Sequence, residues 1–283
     1  MYASECSKIV QKYEFITYKA NFALNAISMK AHILQETNWK DTENKQYKVA
    51  ILPWGATEAH NLHLPYGTDT ILAERVAANA AAIANANGAD AIVLPSIAYG
   101  VNSGQMEVKL CMNINPSTQT ALLRDILYVL ENHSIDKLLI INAHGGNAFQ
   151  PIIRELSLEF PDTIMAAINW WVVCKPEEFF DEPGDHAGEL ETSAMMAVSP
   201  ELVLPLNQAG KGKEKHFKIE GFRNKWAWTP RRWVYITEDT GVGNPKKATA
   251  EKGKLFIDAC TEKIAEFILD FSKVKEEKDL YEK

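Results

Sequence analysis

Cysteine is scarce in this chain, and its spacing matches no metal-binding or redox motif. The four cysteines, Cys6, Cys111, Cys174 and Cys260, are spread over 283 residues without a Cys-x-x-Cys pair. A chain of this length does not need disulfides to hold its fold. We therefore expect reduced thiols and a cytoplasmic protein.

The sequence also lacks an excess of positive charge. It has 30 Lys and Arg against 37 Asp and Glu, a formal net charge of −7. Nucleic acids and anionic membranes attract basic surfaces, so we expect neither as a partner. The densest basic stretch, residues 208–233, is interleaved with tryptophans. We interpret it as a lid or subunit contact that recognises an anionic group on the substrate, with a solvated loop as the alternative.

Long apolar runs are absent as well. No stretch of about 18 apolar residues is present, so no membrane-spanning helix is expected. Residues 1–28 carry charges throughout and lack the core of a signal peptide. We interpret 1–28 as an N-terminal extension that packs on the body or on a neighbouring subunit, and 29–283 as a single domain.

Short apolar runs alternate with helical patterns from Lys48 onward. Strands are predicted at 49–52, 91–94, 137–141 and 163–169, with helices at about 69–87, 117–132, 189–198 and 248–272 and another between 148 and 160. This alternation predicts a three-layer α/β/α fold with a largely parallel central sheet. The predicted inward faces include Leu122, Ile126, Val129 and Leu130 in one helix and Phe267 in the last. Ligands of such sheets bind beyond the carboxyl ends of the strands.

Two carboxylates and two imidazoles crowd the turn after the first strand. They are Glu58, His60, His63 and Asp69. Glu58 and His60 are two residues apart, so in an extended segment they point the same way. Taken singly, Asp69 fits a helix N-cap, and either histidine fits an ordinary hydrogen-bonding group. Together they are costly to desolvate unless a cation compensates them.

Two later segments carry similar chemistry. His144 follows an apolar strand, and Gly145 and Gly146 beside it allow the backbone close to a ligand. Taken alone, His144 fits a core or surface histidine. Glu191 lies near the start of a predicted helix, where acidic residues favour the helix dipole. It shares a face with apolar neighbours, however, and a buried carboxylate needs a partner.

The pooled set consists of three carboxylates and two imidazoles: Glu58, Asp69, Glu191, His60 and His144. Such donors without thiolate suit Zn²⁺, Mn²⁺ or Fe²⁺. Five ligands exceed what one catalytic ion uses while keeping a position open. Two divalent ions about 3.5–4 Å apart would use them all. His186 is then left over, free to move protons.

These clusters resemble the motifs of the creatininase family (creatinine amidohydrolases and their relatives). The similar segments are Glu58 to Pro65 followed by Asp69, residues 142–147, residues 186–193 and the tail at 241–249. The resemblance spans about residues 35–270 and implies a binuclear metal hydrolase that assembles as a homo-oligomer, a hexamer or a dimer. By motif, the pooled set would be the ligands, with Asp69 bridging. His186 would be the proton-transfer residue.

The resemblance also implies a substrate side. Trp171 resembles an aromatic residue that lines the pocket, and Gly145, Gly146 and His63 are grouped with it, although His63 is better interpreted as lying behind the ligands. In creatininase itself a glutamate two residues beyond the motif histidine binds metal. Here that position is Gly146, so the role passes to Glu191.

The sequence departs from the family pattern in three places, and the last of them lines the substrate side in relatives. Asn61-Leu62 replaces Gly-Pro, Ala143 replaces Gly, and 112–116 replaces a segment with Pro-Gly-Thr. We expect hydrolysis of a C–N bond in a small cyclic amide or formamide by metal-held hydroxide. His186, assisted by Asp185, would protonate the leaving group. The alternatives are opening of a cyclic ketone or lactone from sugar or inositol metabolism, and a non-catalytic metal-binding module.

Overall fold

A four-stranded parallel sheet forms the centre of the protein. The computed structural model describes residues 32–282, so the predicted extension at 1–28 lies outside the described residues. The strands are β1 (Val49–Trp54), β2 (Ala91–Val93), β3 (Lys137–Asn142) and β4 (Ile164–Asn169). Their order is β2-β1-β3-β4, with every neighbouring pair parallel. All four predicted strands are confirmed.

Helices follow the strands or extend beyond the sheet. They are α1 (Trp39–Thr42), α2 (Thr68–Ala86), α3 (Pro116–Asn132), α4 (Phe149–Glu159), α5 (Glu189–Val198), α6 (Glu220–Arg223), α7 (Trp233–Ile236) and α8 (Ala250–Lys273). Short 3₁₀ turns, among them Ser103–Gln105 and Trp170–Val172, connect them. No helix within residues 32–282 is both long enough and apolar enough to cross a membrane.

The sheet is buried on both faces. Val49 and Ile51 of β1 point into a core shared with α2, α5 and α8, whereas Ala50 and Leu52 point into a second core shared with α3 and α4. This is the alternation of side chains expected along a strand. Two helical layers therefore cover the sheet, as the three-layer prediction requires.

The inward face of α3 differs from the predicted one. Leu130 is buried as predicted and Ile126 packs against the second core, but Leu122 is 36% and Val129 55% exposed, and Leu123 and Leu127 are buried instead. One residue along a helix is about 100° of rotation, so the buried stripe is rotated relative to the predicted one. The buried side chains of α3 face the second core, whose position cannot be inferred from the sequence of α3 alone. Phe267 in α8, also predicted inward, is 40% exposed.

The carboxyl ends of β1, β3 and β4 lie at one edge of the sheet. Glu58, His144 and Trp171 each follow one of these ends. The long segment between β2 and α3 returns over the same edge, where Gly100 pairs with Asn113 and Trp54 Nε1 donates to Tyr99 O at 3.0 Å. Segments far apart in sequence therefore meet beyond the strands.

Candidate metal centre

The five residues predicted as ligands converge beyond the edge of the sheet. His60 Nε2 lies 3.0 Å from Asp69 Oδ1, and His144 Nδ1 lies 2.8 Å from Glu58 Oε1. Glu191 Oε2 is 3.9 Å from His60 Nε2. Four of the five are buried, and the Glu191 side chain is 21% exposed. The structure thus brings together what the sequence places in three separate segments.

Asp69 belongs to two donor groups at once. One group contains Glu58, Asp69 and His144, the other His60, Asp69 and Glu191, and the donor atoms of each lie within 4.8 Å of one another. Asp69 Oδ1 faces His60, whereas Oδ2 lies 3.2 Å from His144 Nδ1, is buried and has no well-oriented hydrogen-bond donor. A buried carboxylate oxygen without a donor is the kind of atom that a cation compensates. The donor set therefore fits divalent metal ions.

Backbone carbonyl groups fix how the two histidines face the centre. His60 Nδ1 lies 3.1 Å from Glu58 O, and His144 Nε2 lies 3.1 Å from Val101 O. Donation from these nitrogens leaves His60 Nε2 and His144 Nδ1 free for the centre. Such outer hydrogen bonds select the tautomer and orientation of metal-binding histidines.

The turn after β3 is held by Asn142. Its Oδ1 accepts from His144 N at 3.1 Å, and its Nδ2 donates to His144 O at 2.9 Å. Asn147 is also buried, and its Nδ2 donates to Asn142 Oδ1 at 3.0 Å. The motif asparagines therefore set the backbone that carries His144.

The charges in the centre are strongly coupled. Burial opposes a charge on His60, but the three carboxylates Asp69, Glu191 and Glu58 together outweigh burial and raise the pKa of His60 to about 10. The pKa of His144 is likewise raised well above its ordinary value, because Glu58 and Asp69 outweigh burial. The two histidines in turn lower the pKa of Asp69, and burial raises the pKa of Glu191. Divalent ions would displace the protons that the histidines hold.

His186 lies beside these two donor groups and forms a third group of possible metal ligands with Glu58 and His60. One of its ring nitrogens faces the centre. Its Nε2 is 2.9 Å from Ala59 O, and its Nδ1 is 3.9 Å from Glu58 Oε1. Its ring lies 4.1 Å from the His60 ring and contacts Trp233 edge-on at 4.7 Å between centroids. Donation from Nε2 to Ala59 O leaves Nδ1 as the atom that can exchange a proton at the centre.

Asp185, predicted to assist His186, has a different partner. Its Oδ2 lies 2.7 Å from Arg231 Nη1, and its side chain is 58% exposed. The two ring nitrogens of His186 face Ala59 O and Glu58 instead. Assistance through a hydrogen bond between Asp185 and His186 therefore does not match the structure, because adjacent side chains in this turn point to different surroundings.

His63 lies behind the centre rather than in the cavity. Its Nε2 is 2.9 Å from Thr192 Oγ1, and only 1% of the residue is exposed. Burial, together with nearby His60, lowers the pKa of His63 to about 4. It does not line the cavity above the centre. The neutral ring thus joins the first motif to α5, the helix that carries Glu191.

A cavity of about 470 Å³ lies above the candidate ligands. Trp171, Gly145 and Gly146 line it, as predicted for the substrate side, and so do Arg231 and Trp233 from residues 208–233. That segment, named here the roof segment, also contacts the loop between β2 and α3, where Arg232 pairs with Glu107. The roof segment therefore contributes to the cavity lining.

The two motif glycines face different surroundings. A Cβ at Gly145 would meet no atom within 4 Å, whereas a Cβ at Gly146 would overlap with Val101 O and His144 Nε2. The structure leaves no room for a side chain at 146. A glutamate at position 146 therefore does not fit this structure, which supports the assignment of its ligand role to Glu191.

Sequence reasoning missed two residues of the site. Gln105 is buried, lines the cavity and donates through Nε2 to Glu58 Oε2. Only the unusual length of its loop pointed to it. Asn61 has φ 54°, in the left-handed region, which explains an asparagine where the family has glycine. Its Oδ1 also accepts from Gly210 N in the roof segment at 2.8 Å.

Comparison with known proteins supports the predicted resemblance. The family model described as creatinine amidohydrolase (Creatininase) matches residues 35–268. Creatinine amidohydrolase from Pseudomonas putida is 26% identical over 264 residues, covering 84% of this chain and 96% of the relative. A mycofactocin precursor peptide peptidase from Mycobacterium ulcerans is 29% identical, covering 76% and 84%. The 3-dehydro-scyllo-inosose hydrolase of Thermotoga maritima is 25% identical, covering 80% and 78%.

Solved structures share the fold. A Bacteroides fragilis protein, provisionally assigned as a creatinine amidohydrolase, is 44% identical, with a TM-score of 0.84 and coverage of 89% of this chain and 99% of that one. A manganese form of creatininase is 24% identical, with a TM-score of 0.71 and coverage of 86% and 99%. The chain therefore belongs to the creatininase family of hydrolases.

Proposed function

We propose that this protein uses two divalent ions, Zn²⁺, Mn²⁺ or Fe²⁺, to hydrolyse a C–N bond in a small cyclic amide or formamide. The observation that carries the proposal is the position of Asp69. Its two carboxylate oxygens face two different donor groups, each completed by one further carboxylate and one histidine. One shared aspartate between two such groups is the arrangement that a binuclear hydrolase needs.

The ligand roles follow from the two groups. Glu58, Asp69 and His144 would hold one ion, and His60, Asp69 and Glu191 the other. When bound, such ions polarise a carbonyl oxygen and make hydroxide available near neutral pH. The donor groups lie at the bottom of the cavity, so a substrate amide would enter from the side of Trp171 and Trp233.

His186 supplies the proton in this proposal. Its Nδ1 is directed toward Glu58 Oε1 and the cavity, while Ala59 O holds Nε2. A proton on Nδ1 would pass to the leaving nitrogen as the C–N bond breaks, which typically contributes about 10²–10⁴-fold to the rate. Trp171, Gly145 and Gly146 would orient the substrate, since they form the wall beside His144.

The direct test combines metal analysis with a substrate panel. Protein stripped with a chelator and reloaded with Mn²⁺ or Zn²⁺ should bind two equivalents per chain and hydrolyse an amide among creatinine, N-formyl compounds and short peptides. Asp69→Asn should lose both ions, since both groups share this residue. Binding of one equivalent or less by the unaltered protein would favour the non-catalytic module instead.

A ring-opening hydrolase of cyclic ketones or lactones is the second candidate. Two observations favour it: residues 112–116 differ from the family segment, and a relative is an inosose hydrolase. The same metals and His186 would serve either bond. Turnover of inosose-type ketones without turnover of any amide would replace the first candidate by the second.

We also propose that the protein is a homo-oligomer, a hexamer or a dimer. Two large aromatic side chains of the roof segment support this, since Trp226 is 76% and Trp228 84% exposed. Aromatic residues are enriched at protein–protein interfaces relative to the rest of the surface. Light scattering coupled to size exclusion measures the state directly, and a monomer at micromolar concentration would contradict the proposal.

A further inference from the structure

Gln105 forms a hydrogen bond with one of the two carboxylate oxygens of Glu58, so the two oxygens have different surroundings. The glutamine is 2% exposed and sits at the end of the turn Ser103–Gln105, in the long loop between β2 and α3. Its Nε2 donates to Glu58 Oε2. Glu58 Oε1, in contrast, lies 2.8 Å from His144 Nδ1 within the donor group. One oxygen of this ligand is therefore held from outside the centre, and the other faces into it.

The hydrogen bonds beyond Gln105 form a chain with a defined direction. A carboxylate only accepts, so the amide nitrogen of Gln105 must face Glu58 and its Oε1 must find another donor. Cys111 Sγ supplies that donor at 3.2 Å, and itself accepts from Ala59 N at 3.2 Å. Ala59 O in turn accepts from His186 Nε2 at 2.9 Å. This series of hydrogen bonds thus connects Oε2 of Glu58 with Nε2 of His186.

We infer that Gln105 is a positioning residue for Glu58, and that Cys111 orients Gln105. The inference rests on the proposed function, because it concerns Glu58 as a metal ligand. A carboxylate held through one oxygen presents the other in a fixed direction to the ion. Outer partners of this kind typically change metal affinity by about 10–100-fold when removed. The loop between β2 and α3 therefore contributes to the metal centre through Gln105, which its sequence alone does not indicate.

The test uses two pairs of variants of the full chain. Gln105→Met keeps an unbranched side chain but removes the donor, and Met106→Ala, at a neighbouring residue that is 63% exposed, is its control. Cys111→Ser keeps both a donor and an acceptor, whereas Cys111→Ala removes both. Mn²⁺ binding is measured by calorimetry, with circular dichroism to show that each variant is folded.

We expect Gln105→Met to weaken the affinity for one of the two ions by about 10–100-fold, with the second ion much less affected. Cys111→Ala should weaken the affinity for the same ion by a smaller factor. Cys111→Ser and Met106→Ala should bind both ions as tightly as the unaltered protein does. A role in folding alone would lower stability without this split between the ions. The split, rather than activity, is therefore the decisive result.

Two outcomes would overturn the inference, and they are distinguishable. If Gln105→Met and Cys111→Ala bind both ions as tightly as the unaltered protein, the positioning role is wrong while the proposed function stands. If the unaltered protein itself does not bind two ions, the proposed function is wrong, and the inference, which depends on it, is wrong as well. Because Cys111 lies farther from the centre, its pair of variants decides the question even if Gln105→Met does not fold.

Discussion

Asn61 Oδ1 accepts a hydrogen bond from Gly210 N at 2.8 Å, and Asn61 Nδ2 donates to Gly210 O at 3.3 Å. One side chain in the first motif therefore fastens the start of the roof segment. The backbone of Asn61 is in the left-handed region, which glycine adopts freely and alanine does not. The residue thus has two separable functions, one in the turn and one in the attachment of the roof.

Substitution of Asn61 should separate these functions. Asn61→Gly keeps the turn but loses the attachment, so we expect KM to rise several-fold with a small change in stability. Asn61→Ala should in addition be less stable than Asn61→Gly by roughly 1 kcal/mol, the cost of a left-handed alanine. Urea unfolding and steady-state kinetics measure the two effects. Equal KM values for Asn61→Gly and the unaltered protein would show that the attachment is dispensable.

The glycines after His144 offer a matched pair. Gly145→Ala places a methyl group in open space beside the cavity, so we expect normal stability and an altered KM. Gly146→Ala pushes against Val101 O and His144 Nε2, which should cost about 1–3 kcal/mol and weaken metal binding. Thermal unfolding and Mn²⁺ titration distinguish them. Equal stability of the two variants would contradict the close approach at position 146.

His186 and Asp185 should differ sharply as mutants. His186→Gln is expected to bind both ions but lower kcat by about 10²–10⁴-fold, because the proton donor is lost. Asp185→Asn should lower kcat by less than about tenfold, since the carboxylate pairs with Arg231 and not with the histidine. Metal content and kcat are measured on the same preparations. A large loss of kcat in Asp185→Asn with an unchanged KM would restore the assistance predicted from the sequence.

Metal affinity should increase with pH. The pKa of His60 is raised from 6.5 to about 10 in the metal-free protein, and an ion must displace that proton. The stabilisation that this proton gives the metal-free fold is complete below pH 6.5 and is lost as the pH rises through about 10. The Kd for Mn²⁺ should therefore fall about tenfold per pH unit for each proton displaced between about pH 6 and pH 9.

A control for the pH dependence is available in the roof segment. The His216 side chain is 74% exposed beside Glu214, so His216→Gln should leave the slope unchanged. His60→Gln should bind the ion held by Asp69 and Glu191 only weakly. The slope of log Kd against pH should then correspond to about one displaced proton fewer. A Kd that does not vary with pH in the unaltered protein would rule out displacement of histidine protons.

Much of the fold could be predicted because its signals are local. The four strands are short apolar runs, and a parallel sheet brings their carboxyl ends to one edge. That rule alone places Glu58, His144 and Trp171 together. The inward face of α3 was predicted only in part. Leu130 is buried as expected, but Leu123 is buried in place of Leu122, because the two are equally apolar and only the second core selects between them.

The surroundings of the site could not be predicted in the same way. Arg231, the partner of Asp185, lies 46 residues away in a segment without periodicity, and no local pattern distinguishes it from the other basic residues there. Gln105 likewise reaches Glu58 across 47 residues. Hydrogen bonds between irregular segments depend on the packed structure, which a single sequence does not specify.

The candidate metal ligands and much of the cavity lining are carried by different parts of the fold. The candidate ligands stand on turns at strand ends and on the first turns of α2 and α5, which the packed cores hold rigidly. Much of the cavity lining comes instead from two connections, residues 94–115 and the roof segment, that do not belong to the sheet. Grafting the roof segment between relatives should therefore change substrate preference without rebuilding the metal site, whereas a graft of residues 94–115 would have to keep Gln105 and Cys111.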